Sequence, residues 1–130
     1  MKIEGPSTTV NKSSEELFGF LTDIKNFEKL MPENTSKFEV LDDTTFVFAL
    51  KGMPEIVLRL KDNQPHTKVV LGAASDKLPF TLTGNIQEKS ADACEAQLVF
   101  EGDFNPMMAM MIKGPITNFV EALSKNMGSL

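Results

Sequence analysis

Few side chains in this chain are of a type and setting that offer chemistry. Arg59, the only arginine, belongs to an alternating run in which it points away from the apolar positions, so it reads as a solvated cation. His66 follows Pro65 in a turn with no acidic or nucleophilic partner nearby in sequence, and reads as an exposed turn histidine. Cys94, within DACEA, has no histidine in view and reads as a plain thiol. HExxH, CxxC and carboxylate clusters at ligand spacing are absent, so no metal site is expected. The sequence also lacks GxSxG and a glycine-rich loop opening a helix after a strand, which removes the usual signatures of a serine hydrolase or a phosphate cradle. What remains is apolar: a methionine stripe at Met107, Met110 and Met111, and a set of alternating phenylalanines and leucines upstream of it.

The elements that position these residues are legible in the spacing. Ser13 stands three residues before Glu16, the pattern of a capping box, and starts a helix at Ser14. Leu17, Phe18, Leu21 and Ile24 share one helical face, flanked by Phe20. After Asp23 the apolar phase is resumed by Phe27, Leu30 and Met31, and Pro32 ends a second short helix near Met31. From Lys37 to Phe104 alternation with regular turn signals, nearly two-sided apolar at Val69 to Ala74, predicts an antiparallel meander. Phe46, Phe48 and Leu50 fall on one face, then Ile56, Leu58 and Leu60 after a GMPE turn, then Val69, Leu71 and Ala73. Phe80, Leu82, Gly84 and Ile86 follow, and a last strand from Ala93 to Phe104 carries Leu98 and Phe100 inward. With a first strand near Lys2 to Val10 and another near Lys37 to Leu41, the sheet has about six or seven strands. The end of the chain predicts a long helix capped by Asn105 with Pro106 at its first position, whose apolar face continues through Ile116, Phe119, Val120, Leu123 and Met127. Gly114 and Pro115 are expected to bend or break it near Lys113.

The 130 residues form one domain, 1–130, large enough for a real core without staples. A net charge of −5 with scattered lysines argues against nucleic acid. No apolar run has the length of a signal peptide or membrane span, so a cytoplasmic protein without stable membrane insertion is expected. All 10 aromatic residues are phenylalanine, leaving any interior poor in hydrogen-bonding handles.

The opening segment has a recognisable order: a small residue, Glu, an apolar pair, Leu-x-Asp, an aromatic and a closing proline. Ser14, Glu16, Leu17, Phe18, Leu21, Asp23, Phe27 and Pro32 carry it. It resembles the START-like (SRPBCC) superfamily, which includes polyketide cyclases, coenzyme-Q-binding proteins, pollen-allergen-like carriers and a co-chaperone module. The resemblance implies an α+β helix-grip fold: a curved antiparallel sheet wrapped around a long C-terminal helix, with two short helices after the first strand. It also implies a cavity between sheet and helix, lined by Phe46, Phe48, Leu58, Leu71, Leu82, Leu98, Phe100, Met107, Met110, Met111 and Phe119, although the same residues taken alone equally fill a solid core. Asp23, placed by the family pattern at the helix junction, is expected to accept amide hydrogen bonds there.

The expected function is binding or transport of a small hydrophobic ligand, such as a lipid, a quinone or a polyketide-like compound, by a monomer or homodimer without a cofactor. A cyclase or dehydratase is the alternative, and would draw on Asp23, Asn85, Arg59, His66, Glu101 or Asp103. A partner-binding module is a third.

Overall fold

The computed structural model describes residues 1–53, 55–74 and 80–130. Pro54, within the expected GMPE turn, lies outside them. The chain runs β1 (Lys2–Glu4), β2 (Thr8–Val10), α1 (Ser14–Thr22), a 3-10 turn (Ile24–Asn26), α2 (Phe27–Leu30), β3 (Thr35–Val40), β4 (Thr45–Leu50), β5 (Ile56–Leu60), β6 (Lys68–Ala73), β7 (Phe80–Ser90), β8 (Ala93–Gly102) and α3 (Pro106–Met127). One antiparallel sheet has the order β1-β8-β7-β6-β5-β4-β3, with β2 also on β8. It has eight strands where six or seven are expected, because the first is split. Lys2 pairs with Glu101 and Thr8 with Ala96, a one-residue slip between the two pieces. Pro6 has no amide to donate at the break, and the flanking Gly5 holds the ladder through its amide to the Leu98 carbonyl (2.7 Å) and its carbonyl to the Gln97 side chain (3.0 Å).

Alternation becomes packing through the register. Ile3, Phe100, Leu82, Leu71 and Leu60 are successive cross-strand partners, forming an apolar row across five strands. Phe46 pairs with Leu58 and Phe48 with Ile56 further along. The outward side of β4 is also covered. Lys37, which pairs with Ala49, reaches over it to Glu55 on the far side, with Nζ 2.7 Å from Oε1, and all six residues of β4 are buried.

The helices start and stop where their caps dictate. The Ser13 hydroxyl accepts from the Glu16 amide (3.1 Å), and the Glu16 carboxylate accepts from the Ser13 amide (3.3 Å). Met31 turns extended (ψ 142°) ahead of Pro32. In α3 the Asn105 side chain accepts from the Met108 amide (2.8 Å) with Pro106 behind it. Of the bend or break expected near Lys113, the break does not occur: α3 is helical through Gly114 and Pro115. Proline removes the one amide that would bond the Met111 carbonyl. Met111 is 68% exposed, so water can take that place and the helix continues.

The C-terminal half of α3 is the seated half. Ile116, Phe119, Val120, Leu123, Ser124 and Met127 are buried, and Phe119 stacks on Phe48 at 4.9 Å and 9°. Asn126 donates to the Leu30 carbonyl (2.7 Å), joining α3 to α2. At Gly5 the fit is close enough that a Cβ would stand 2.7 Å from Val120 Cγ1 and 3.2 Å from the Leu98 carbonyl oxygen.

Gly5→Ala is therefore expected to destabilise the protein by about 1–3 kcal/mol through overpacking. Gly19→Ala, on an open face of α1 where a Cβ meets nothing, is expected to stabilise it by about 0.5–1 kcal/mol. Urea unfolding of both variants checks these opposite signs. Cys94 is buried on β8, and burial raises its thiol pKa. Alkylation at pH 8 is expected to wait for unfolding, so labelling kinetics with and without urea test how closed the core is.

Candidate functional site

The space between the sheet and α3 differs sharply along the length of the helix. Against its C-terminal half, Leu21, Phe27 and Leu30 from the α1–α2 segment fill the gap. The remaining void, which also touches Leu71, Leu82, Leu98, Leu123 and Met127, measures only about 10 Å³, less than a water molecule comfortably needs. Phe27 stacks on Phe46 at 5.3 Å and 16°, which carries the filled region across to β4.

Under the N-terminal half of α3 the sheet and helix separate. There a cavity of about 320 Å³ is lined by Gly52, Met53, Ile56, Phe80, Phe100, Phe104, Met108, Met111, Ile112 and Ile116. Gly52, at φ 84°, makes the bend after β4 that brings Met53 to the cavity. Phe80 and Phe100 come from the paired ends of β7 and β8, and Phe104 from the link into α3. Their ring centroids are 4.9 Å apart for Phe80 and Phe100, and 6.1 Å for Phe100 and Phe104. Met108, Ile112 and Ile116 follow at four-residue intervals on one side of α3.

Of the residues expected to line a cavity, the structure brings Phe100 and Met111 to this one. Leu71, Leu82 and Leu98 border the small void instead. Phe46, Phe48, Leu58 and Phe119 are packed into the core. Met107 and Met110 face outward, 75% and 82% exposed. Met53, Phe80, Phe104, Met108, Ile112 and Ile116 were not anticipated as lining. The signal for the helical members is the buried phase of Ile116, Phe119 and Leu123 counted backward through Pro115, which gives Ile112 and Met108. Expecting a bend or break near Lys113 interrupts that count.

The polar candidates lie elsewhere. Asp23 caps the 3-10 turn, accepting from the Lys25 amide (3.3 Å) as expected. Arg59 is exposed and its Nε donates to Thr45 Oγ1 (3.4 Å). His66 adopts φ 67° and meets Phe18 edge-on at 5.8 Å, so it is more engaged than a free turn residue. Asn85 borders a shallow outer-face depression of about 120 Å³ with Ser7, Glu95 and Gln97. The Lys89 ammonium, 2.9 Å from Glu95, lowers that carboxyl's pKa by its hydrogen bond and its charge, and Ser7 adds a second hydrogen bond. Glu101 and Asp103 are exposed. None of these groups is among the described residues lining the larger cavity. No group of His, Cys, Asp and Glu suited to a metal ion occurs among the described residues, and no described helix is long and apolar enough to cross a membrane.

The sequence matches no family model and no curated protein. Solved structures do match in shape. A START superfamily protein from Mycobacterium smegmatis aligns over 98% of this chain and 94% of its own, at 12% identity and a TM-score of 0.76. A norcoclaurine synthase from Thalictrum aligns over 98% and 93%, at 15% identity and a TM-score of 0.70. The di-domain aromatase/cyclase BexL aligns over 97% of this chain and 46% of its own, at 11% identity and a TM-score of 0.66. The split first strand, the two short helices, the antiparallel meander and the single long closing helix make this chain a START-like helix-grip fold.

Proposed function

We propose that the protein binds a small hydrophobic ligand in the cavity beneath the N-terminal half of α3. The observation that carries this reading is the cavity itself: about 320 Å³ of space walled by phenylalanine, methionine and isoleucine, with no acid, base or amide side chain among the described lining residues. A filled core of this composition would leave no such volume. An apolar pocket of a few hundred cubic ångströms in an otherwise packed domain is the ordinary form of a small-molecule site. Affinity would come from buried apolar area, at about 25 cal/mol per Å² before the costs of association. The norcoclaurine synthase of similar fold holds a transition-state analogue, so this architecture accommodates small organic molecules. Catalysis of the cyclase or dehydratase type requires an acid or base within reach of the ligand, and the described walls supply none.

The exposed faces of Met107 and Met110 favour a second reading, a surface that contacts a protein partner. One pair of variants separates the two. Ile112→Asp puts a carboxylate into the cavity wall and is expected to weaken uptake of the neutral dye N-phenyl-1-naphthylamine by at least about tenfold. Met107→Asp, outside the cavity, is expected to leave uptake unchanged. Equal uptake by both folded variants would overturn the cavity as the binding site, and loss in Met107→Asp alone would transfer binding to the outer face.

A further inference from the structure

Resting on that reading, the geometry points to a narrower ligand class: a flat, uncharged aromatic compound of about two fused rings. Size comes first. A dry apolar cavity of roughly 150 Å³ admits one benzene ring, so about 320 Å³ is matched to a naphthalene-sized skeleton.

The two walls then select the kind of surface. On the sheet side Phe80, Phe100 and Phe104 form a continuous array. Their centroid separations of 4.9 and 6.1 Å lie in the range where ring quadrupoles attract. Phe100 and Phe104 are within 4° of parallel, and Phe80 is tilted 32° from Phe100. This array is held by strand pairing, since Phe80 and Phe100 sit near the joined ends of β7 and β8, so another ring extends it without reorganising it. On the helix and loop side the half-buried Met108 and Met53, with the largely exposed Met111 at the rim, present thioethers, which adjust their shape and make favourable contacts with aromatic rings. An aliphatic chain fills the same volume but forgoes both the quadrupole contacts and the sulfur contacts. A carboxylate or phosphate head group would find no cation or amide side chain among the described lining residues, so burying it there is disfavoured.

The test is displacement of N-phenyl-1-naphthylamine from the full chain by naphthalene, by its saturated counterpart decalin and by n-decane, each corrected for its own partition from water into hexadecane. Naphthalene is expected to bind about two- to tenfold tighter than decalin, the size of effect that aromatic contacts add beyond area. Phe80→Leu with Phe104→Leu is expected to reduce that preference at least about twofold, Phe100 and the thioethers keeping the remainder. Both positions are only partly buried, and if the double variant does not fold by circular dichroism, Phe104→Leu alone is expected to narrow the gap. Equal binding of all three compounds by the unmodified protein would overturn the aromatic class while leaving an apolar binder. A naphthalene preference undiminished in the folded leucine variants would overturn the assignment of the wall. Absence of dye uptake and of displacement would overturn the binding function itself.

Discussion

The seating of the C-terminal half of α3 on the sheet is the constraint from which the rest of the molecule follows. Three contacts define it: Phe119 flat on Phe48, Val120 against the backbone at Gly5, and Asn126 bonded to the Leu30 carbonyl. They fix the helix at one end of a curved sheet. A 22-residue helix is about 33 Å long, and these contacts engage only its last half. The first half is carried beyond them as a cantilever over the ends of β7 and β8. Space opens beneath it because a helix seated at one end cannot also follow the curvature of the sheet at the other.

The α1–α2 segment decides where that space is allowed to remain. Leu21, Phe27 and Leu30 enter between sheet and helix at the seated end and reduce the void there to about 10 Å³. Their placement depends on local chemistry: a capping box fixes the start of α1, Asp23 caps the turn between the helices, and Pro32 stops α2. Apolar volume is thus concentrated by the short helices at one end, and the cavity is confined to the other.

That division explains what could be read from the sequence. Caps, proline stops and alternation act within a few residues, so the helix boundaries at Ser14, Met31 and Pro106 and the facing of Phe46, Leu58, Leu82 and Phe100 were all legible. The split of the first strand was not, because it depends on how Gly5 meets Val120 and Leu98, residues more than 90 positions away. Nor was the position of the cavity. Phe46 and Phe100 have the same alternation signature and both are buried in the core, but Phe27 stacks on Phe46 whereas Phe100 also borders the cavity. At Pro115 a local rule misleads. Proline does remove a helical hydrogen bond, but where the orphaned carbonyl belongs to a solvent-facing residue the loss is small enough for the flanking turns to persist.

The electrostatic layout bears on what the cavity can do. The ion pairs Lys2–Glu4, Lys37–Glu55 and Lys89–Glu95 lie on outward faces, where solvent makes each worth little to stability. Their positions keep charge on the outer side of the sheet, while the inner side carries only hydrocarbon and thioether at the described cavity wall. An ionised side chain placed among these described wall residues would bear its desolvation without a partner there. Selectivity in the proposed site would therefore rest on shape and on the polarisability of its walls. Both would be set by Phe80 and Phe100 on paired strands, by Phe104 on the link into α3, and by methionines on the half of α3 that the core does not hold.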